Sequence, residues 1–451
     1  MSDDSRYRRI IASLEDRDLL LVLLVLGAVY VLFALSVLDQ GIGSIASVLR
    51  TVTFLSLSFA LVALALNLHW GYTGLFNIGV VAFMMVAVYT MAMLTRPPDP
   101  SFGPPGLGMP LWVGVIGGML AAAILGFLTA IPALRLRADY LAIVTLGLSE
   151  IVRLTISSSQ FNQWLIETVG AGTNASSSLN IPVSPKSPVP LLFWRDGGRQ
   201  DPTVLGEVVL PLANDLGIRE SVVLDWAYIA FLALVLIGVY LFLERLGRSP
   251  FGRVLKAIRE DEIVADSLGK DVGRVKMKVF VVGCALMGVG GMLWYGTQGA
   301  ANPQSMQYTP LYTFYIFIAV IVGGPGSNTG SVLGGIVFAS FLFEGPRRAV
   351  SFVRRRLAGD ADTPGNFVEA IAPFSSLDYA PFLAYAENQI AALQFMLLGV
   401  VLIYIMHRRP DGLLGHRVET AAAVDLMERD TGREGTGAAR ADGGDAGGRP
   451  G

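Results

Sequence analysis

The sequence places few ionisable residues inside its apolar runs, and one close pair could do chemistry there. Glu150 and Arg153 lie three positions apart, so a helix would carry both on one face. Ionisable groups at membrane depth are costly, and such a pair could clamp a dipolar solute. The simpler interpretation is a mutually neutralising pair at the membrane edge, which its place near the end of an apolar run favours.

Familiar catalytic motifs are absent from the sequence. The glycine-rich run 323–330, GGPGSNTG, lacks the lysine of a P-loop and follows an apolar segment, so it is not expected to cradle ATP. His69, His407 and His416 do not have the spacing of metal ligands, and Cys284 is the only cysteine, which excludes an intrachain disulfide. The sequence therefore predicts no catalytic residue, no metal site and no cofactor bound by this chain.

Composition predicts an all-α integral membrane protein. Hydrophobic residues make up 53% of the chain and charged residues 16%, against about a quarter in soluble domains. Several apolar runs reach the ~18 residues that cross a bilayer core. The net charge of −2 and the lack of a basic arm give no indication of nucleic-acid binding. About ten transmembrane helices are predicted, at 19–37, 51–68, 75–94, 111–131, 140–156, 226–243, 279–295, 312–322, 330–343 and 391–406.

The distribution of arginine and lysine predicts a multi-pass protein with both termini in the cytoplasm. Loops 95–110 and 299–311, which this topology places outside, carry almost no Lys or Arg. An arginine-rich segment, 347–356, also falls outside, against the rule. It is either an interfacial helix or the sign of a miscounted span near 323–343. The basic segments predicted inside contain Arg135 with Arg137, the 245–278 region, and Arg408 with Arg409.

The spans divide the chain into one membrane domain, 19–408, between two polar ends. Residues 1–18 are expected to form a cytoplasmic lead, and the Gly- and Ala-rich tail 409–451 is expected to be disordered, since it cannot bury a core. A long extracellular loop follows the fifth span, so two five-helix halves of inverted orientation are conceivable. Three connecting regions complete the predicted organisation, namely the extracellular loop 157–224, the cytoplasmic region 244–278, and a loop or insertion at 346–386.

The segment 249–278 is the longest charge-rich run before the tail, and it predicts an amphipathic helix over 252–269. Gly269 lies where a helix end favours a residue that tolerates positive φ. A solvated loop helix that obeys the charge rule would explain the basic residues. The acids of its central REDE cluster are not required by topology, and they favour docking on a soluble protein partner. The apolar residues at helical spacing are Val254, Leu255, Ile258, Ala265 and Leu268.

Glycines interrupt the spans at two places. Gly71 and Gly74 lie between the second and third spans, and Gly326, Gly330 and Gly334 form two overlapping G-x-x-x-G steps. Small residues in membranes usually allow close helix packing. A broken helix whose backbone lines a transport pathway is the functional alternative, and the two can hold together. Nearby, Asn67 and His69 are expected to make helix-end or interhelical hydrogen bonds rather than to bind a ligand.

Four stretches resemble the branched-chain amino acid ABC transporter permeases of the LivM type, in the same order. Residues 251–294, FGRVLKAIREDEIVADSLGKDVGRVKMKVFVVGCALMGVGGMLW, resemble the main cytoplasmic-loop signature of that family. GYTGLFNIGVVAFMMVAVYTMAML at 71–94 is similar to its early glycine-rich span, and LRLRADYLAIVTLGLSEIVRL at 134–154 to a further signature. GGPGSNTGSVLGGIVF at 323–338 is similar to its late glycine-rich turn.

This resemblance implies a permease subunit of an importer in the cell membrane rather than an enzyme. Its partners would be a homologous second permease, two cytoplasmic ATPase subunits that use ATP and Mg, an extracytoplasmic solute-binding protein, and membrane lipid. The residues expected to couple to the ATPase are Gly252, Arg253, Ala257, Ile258, Arg259, Glu262, Ala265, Leu268 and Gly269. The residues expected in the pathway or its packing are Asn67, Gly71, Gly74, Asn77, Gly79, Glu150, Arg153, Gly323, Gly324, Gly326 and Gly330.

The solute is less well defined than the class of transporter. The sequence departs from the family at 77–80, where Asn-Ile-Gly-Val replaces Ser-Leu-Gly-His, and at 168–172, after the fifth span. Branched-chain or other small amino acids are the expected cargo, with urea as an alternative. An ion-coupled secondary transporter is the competing hypothesis, but it would need an acid or histidine near the bilayer midplane. Glu150 is the nearest candidate and lies toward the end of a span.

Overall fold

A computed structural model describes residues 20–99, 103–136, 138–196, 200–357, 362–376, 378–408 and 412–414. Residues Met1–Gly415 form one compact unit. The predicted lead 1–18 and the predicted tail, apart from 412–414, lie outside the described residues.

The described chain is built almost entirely of helices, which confirms the predicted all-α membrane class. The first half contains α1 (Leu20–Leu35), α2 (Ile42–Thr73), α3 (Val80–Thr95), α4 (Leu111–Ala133), α5 (Ala138–Ser157), α6 (Ser159–Val169) and α7 (Val204–Asp215). The second half begins with α8 (Glu220–Arg248), α9 (Pro250–Glu260), α10 (Glu262–Ser267), α11 (Val272–Trp294), α12 (Pro310–Gly323) and α13 (Asn328–Val337). It ends with α14 (Gly345–Leu357), α15 (Phe367–Ile371), α16 (Ala380–Asn388) and α17 (Ile390–Arg408). Strands β1 (Leu179–Asn180) and β2 (Ala300–Ala301) pair antiparallel, with Leu179 opposite Ala301.

All ten predicted spans fall on helices. In the described part of the chain, six helices are long and apolar enough to cross a membrane, namely α2, α4, α5, α8, α11 and the continuous α13–α14. Helices α1, α3, α12 and α17 are apolar but shorter. The count of ten crossings and the inverted halves therefore stay predictions, while a multi-pass membrane protein is established.

Several predicted spans have different ends in the structure, and two of these differences change the connections between helices. The third was expected to begin at 75, but residues 74–79 are not helical and α3 begins at Val80. The ninth was expected to end at 343, but the chain continues through a π-helical turn, Phe338–Glu344, into α14. The arginine-rich segment is thus helical, and its interfacial location stays a prediction. The predicted loops 157–224 and 346–386 also contain helices, α6 and α7 in the first, and α14, α15 and α16 in the second.

Helix α2 lies at the centre of the bundle. All side chains from Ser58 to His69 are buried, as expected for a helix that is apolar on every side. It packs against α8, α11, α12 and α13, while α11 also packs against α3 and α4. Helices α3 and α4 therefore contact α2 through α11, and α2 itself runs between the connections at both of its ends.

The connections between helices separate into two groups that match the predicted sides of the membrane. One group, here called the coupling face, contains residues 74–79, 249–271 and 324–327. The other, the opposite face, contains 103–110, 170–196, 200–202 and 295–309. On the opposite face, β1 pairs with β2, and the Gly172 amide donates to the Pro105 carbonyl at 3.1 Å. These contacts join the three loops that were predicted outside the membrane.

The arginine-rich helix α14 contacts the connection between α1 and α2, which was also predicted outside. Arg355 donates to the Ser36 carbonyl at 3.3 Å, and the Arg356 guanidinium lies 3.7 Å from the Asp39 carboxylate. Arg348 pairs with Glu344, and Arg354 with Glu387 of α16. Several of these arginines therefore have partners within the chain.

Glycines permit close contacts of α13 with two neighbouring helices. A Cβ atom at Gly335 of α13 would lie 2.6 Å from the Ala60 Cα of α2, and one at Gly334 would lie 2.0 Å from the Ala319 carbonyl oxygen of α12. Such distances are far below van der Waals contact, so backbone would have to move. Gly334 of the G-x-x-x-G pattern therefore serves packing of α13 against α12, as the simpler interpretation predicted, and the adjacent Gly335 serves packing against α2.

We expect Gly335→Ala to destabilise the protein by about 1–3 kcal/mol, because the added methyl group overpacks the contact between α2 and α13. The measurement is the thermal unfolding midpoint of the purified protein in detergent. Gly238→Ala in α8 is the matched control, since nothing described lies within 4 Å of the added atom. Equal midpoints for the two variants would show that the close contact does not limit stability.

Candidate coupling site

Helix α9 begins with a well-formed cap directly after α8. The Ser249 hydroxyl accepts from the Gly252 amide at 3.2 Å, and Pro250 occupies the first turn, where its missing N–H costs nothing. Leu255 and Ile258 are buried, and a Cβ atom at Gly252 would lie 2.3 Å from the Gly247 carbonyl oxygen. Helix α9 is therefore held closely against the end of α8 by its apolar side.

The predicted single helix over 252–269 was wrong, because the chain breaks at Asp261. Its backbone is extended, with φ −155° and ψ 109°. Its carboxylate accepts from the amides of Ile263 and Val264 at 2.9 and 3.1 Å, which caps the short helix α10. Gly269 has φ +76° just after α10, so the predicted helix end is confirmed. The region is two helices at an angle rather than one.

One of the predicted coupling arginines, Arg259, contacts a helix of the membrane domain itself. The Arg259 guanidinium donates to the carbonyl of Gly71, which lies in the last turn of α2. Carbonyls at a helix C-terminus lack intrahelical partners and carry partial negative charge, so an arginine there is a favourable cap. A Cβ atom at Gly326 would lie 2.7 Å from the Arg259 Nη1 atom. Arg259 therefore lies between the two glycine-rich interruptions.

A chain of hydrogen bonds joins the same interruptions to α8. Asn67 is fully buried, and its side-chain oxygen accepts from the Gly326 amide at 2.8 Å. Its amide donates to the Asn328 side chain at 3.2 Å, which in turn donates to the Glu244 carboxylate at 3.1 Å. Glu244 also binds Arg248 at 2.8 Å. The end of α2, the α12–α13 turn and the end of α8 thus share one polar cluster.

The charges near this cluster include a lysine of α9. Burial of Lys256 lowers the pKa of its ammonium group, and the negative charge of Glu244 acts in the opposite direction.

Gly71 fits the cluster because a Cβ atom there would lie 1.9 Å from the Asn67 side-chain oxygen. The close approach of α2 to the turn therefore depends on glycine.

The interruption between α2 and α3 is buried, and its backbone groups are bonded. The carbonyl of Phe280 can only accept, so His69 donates to it through Nε2 at 3.0 Å. His69 Nδ1 then accepts from the Asn77 amide at 3.2 Å, while the Asn77 oxygen accepts from the Gly79 amide at 2.8 Å. The Thr145 hydroxyl of α5 accepts from the Ile78 amide at 2.9 Å. His69 is thus neutral and structural, as the sequence predicted.

The predicted pair Glu150 and Arg153 lies away from this cluster. The two side chains bind each other, and Arg153 also donates to Gln304 of the opposite face at 2.9 Å. The pair therefore ties α5 to the loop before α12. This arrangement agrees with the simpler interpretation, a neutralised pair at the membrane edge.

The remaining predicted glycines pack α12 against α13. A Cβ atom at Gly323 would lie 1.9 Å from the Gly330 carbonyl oxygen, and one at Gly330 would lie 2.6 Å from the Gly323 carbonyl oxygen. Gly324 and Gly326 have φ of +105° and +93°, which side chains rarely adopt. The turn at 323–330 therefore needs glycine for its shape.

Residues 48–342 match the protein family described as "Branched-chain amino acid transport system / permease component". This match covers more than half of the chain. The chain belongs to this family. The resemblance to LivM-type permeases that the sequence motifs suggested is confirmed, and no solved structure matches the permease.

Three curated relatives indicate the range of the similarity. LivM, the high-affinity branched-chain amino acid transport system permease protein of Escherichia coli K12, is 31% identical over 295 residues, 63% of this chain and 61% of the relative. The probable branched-chain amino acid transport permease protein LivM of Methanocaldococcus jannaschii is 28% identical over 303 residues, 61% of this chain and 75% of the relative. LivH of Salmonella typhimurium, a permease of the same kind of system, is 30% identical over 109 residues, 24% of this chain and 33% of the relative. The permease thus spans about 61% of the length of the first relative.

Sequence reasoning missed two members of the polar cluster of this permease, Asn328 and Glu244. Glu244 is an acid at the end of an otherwise apolar span, which is itself a signal. Asn328 follows Ser327, whose hydroxyl accepts from the Gly330 amide at 3.0 Å and caps α13. Both residues lie next to features that the sequence did reveal, but their partners are far away in the chain.

Proposed function

We propose that this permease is the membrane subunit of an ABC importer for branched-chain or other small amino acids. ATP would be bound and hydrolysed, with Mg, by separate cytoplasmic ATPase subunits, since the sequence has no P-loop of its own. In this proposal the coupling face and both termini lie in the cytoplasm. The opposite face receives the solute from an extracytoplasmic binding protein.

The observation that carries the proposal is that α9 and α10 have one side packed against the permease and another side that is exposed. One side packs on α8 and reaches the glycine interruptions through Arg259. The other side exposes a docking surface, here defined as Arg253, Ala257, Glu260, Ile263, Val264 and Leu268. Ile263 is 78% exposed and Leu268 is 72% exposed, although neither belongs to a membrane-spanning helix. Exposed apolar side chains among charges are typical of a protein–protein contact.

The residues expected to contact the ATPase therefore separate into two classes. Arg253, Ala257 and Leu268 are exposed on the docking surface. Glu262 pairs with Lys276 of α11, and Arg259 caps α2. Buried residues that hold the two helices in place are Gly252, Ile258 and Ala265. A push on the docking surface would thus be transmitted to α2, α8 and the α12–α13 turn.

A second permease would complete the transport pathway. The similarity of this chain to LivH supports a homologous partner, because two related chains can pair around a shared axis. Helices α4 and α8 expose large apolar side chains, including Trp112, Ile124 and Leu234, which suit lipid or such a partner. Under this proposal the pathway runs beside the interrupted helices α2 and α12–α13.

The direct test is uptake in proteoliposomes. With a second permease, the ATPase subunits and the binding protein from the same genetic neighbourhood, we expect uptake of L-leucine, L-isoleucine or L-valine that requires ATP. The same vesicles should not accumulate urea. Uptake by this chain alone, driven by an ion gradient, would contradict the proposal and restore the secondary-transporter hypothesis.

We expect the double variant Ile263→Ser, Leu268→Ser to weaken binding of the ATPase subunits at least about tenfold, because burying one such side chain contributes about 1.5–3 kcal/mol. Copurification of the ATPase subunits with the permease measures this. Val368→Ser is the matched control, since Val368 is 71% exposed and lies on α15, outside the docking surface. Undiminished copurification with the double variant would show that the ATPase binds elsewhere.

Arg259→Ala is expected to separate docking from transport. The ATPase subunits should still bind, because the docking surface is intact. Uptake per ATP hydrolysed should fall about tenfold, since a hydrogen bond from a charged group contributes about 1.5–3 kcal/mol.

The control for this variant is Arg274→Ala, because Arg274 is exposed in the same region and pairs only locally with Asp271. Arg259→Lys should recover part of the uptake, since it retains a positive donor. If Arg259→Ala releases the ATPase subunits, or transports as the unchanged permease does, Arg259 has no role in transmission.

A further inference from the structure

A cavity of about 210 Å³ opens on the opposite face, at the other end of α2 from the coupling face. Its volume is many times the ~10–15 Å³ that a single water needs. The walls come from α2, from α8, from the loop after β1, and from the turn after α11. The lining residues used below are Arg50, Phe54, Lys186, Asp225, Tyr228 and Gln298.

The charges in this cavity do not balance. The Asp225 carboxylate binds both the Arg50 guanidinium and the Lys186 ammonium, one through each oxygen. The three side chains are only 20–34% exposed. Two cations and one carboxylate leave one positive charge uncompensated among the residues that line the cavity, in partly desolvated surroundings. Such a site favours an additional anionic group.

Part of the remaining wall is apolar. The rings of Phe54 and Tyr228 lie with their centroids 6.4 Å apart. The Tyr228 hydroxyl donates to the Leu293 carbonyl at 2.7 Å, so Tyr228 presents its ring rather than its hydroxyl to the cavity. Ile229 is buried beside it. An apolar side chain of modest size would fit against this wall.

We propose that the cavity is an entry site for a zwitterionic α-amino acid with an apolar side chain. The ligand carboxylate would bind Arg50 and Lys186, and its ammonium group would bind Asp225, which those cations now share. The side chain would pack on Phe54 and Tyr228. This inference rests on the proposed function, because it assigns to the importer a site for its solute on the permease itself.

The site can be tested by protection of an introduced thiol. The natural Cys284 is buried, so Gln298→Cys places an accessible thiol at the cavity rim. The full-length permease carrying this substitution is placed in lipid nanodiscs and treated with a small water-soluble thiol reagent. L-Leucine should slow the labelling several-fold in a saturable manner. Leucinamide, which lacks the carboxylate, and 4-methylpentanoate, which lacks the ammonium group, should not.

Two controls separate ligand binding from a change in structure. Ser177→Cys places a thiol in the loop of the opposite face but outside the cavity, and L-leucine should not change its labelling. Adding Asp225→Asn to Gln298→Cys should raise the L-leucine concentration for half-protection at least about tenfold, because a charged hydrogen bond is lost. The analogue comparison requires no change to the three charged residues, so it stands even if Asp225→Asn misfolds.

Protection by none of the three compounds, or equal protection by L-leucine and leucinamide, would overturn the inference. The three charges would then serve to hold the Lys186 loop on α2 and α8. This result differs from failure of the proposed function, which is the absence of ATP-dependent uptake by the assembled transporter. Uptake without protection would refute the site alone, and protection without uptake would refute the importer alone.

Discussion

The structure depends on how it satisfies non-helical backbone within an apolar bundle. In a membrane, unpaired amides and carbonyls cost several kcal/mol each, so an interrupted helix persists only where other groups bind its backbone. The interruption between α2 and α3 obtains these partners from Asn77, Thr145 and Arg259. The α12–α13 turn obtains one from Asn67. The side chains that meet this requirement also determine which elements move together.

Thr145 and Asn67 belong to membrane helices, and Asn77 lies in the interruption itself, but one partner comes from outside the membrane helices. Arg259 reaches the last turn of α2 from α9, which is not a spanning helix. The Gly71 carbonyl therefore keeps this hydrogen-bond partner only while α9 keeps its position on α8. This arrangement links the docking surface to the interruption through the Arg259 side chain, in addition to the packing of Leu255 of α9 against α2.

Sequence patterns located the helices and the interruptions of this arrangement, but they did not reveal the contacts between them. Hydropathy located all ten apolar helices, and glycine spacing located both interruptions. Periodicity identified the amphipathic region but treated Asp261 as one member of a charged face. Its role as a helix cap breaks that region in two. An aspartate before an apolar pair is a common cap, so this break was accessible to sequence reasoning.

The contact of Arg259 with Gly71 was not accessible in the same way. The two residues are 188 positions apart, and an arginine on a cytoplasmic loop suits an ATPase contact equally well by charge alone. The same limit applies to Asn67 with Gly326 and to Arg50 with Asp225, which are 259 and 175 positions apart. Spacing describes what lies on one face of one helix, whereas these bonds are set by how separate helices pack.

Helix α2 connects the coupling face of the permease to its opposite face. Arg50 and Gly71 lie on this one helix, separated by about 30 Å at 1.5 Å per residue, close to the thickness of a bilayer core. The helix contains no proline, and its central side chains are buried, so it resists bending along its length. A displacement of Gly71 by α9 would therefore shift Arg50 as well, and would change the geometry of the cations around Asp225. Under the proposed function, ATP-driven movement on the coupling face and release of solute from the opposite face would then be two consequences of one rigid helix.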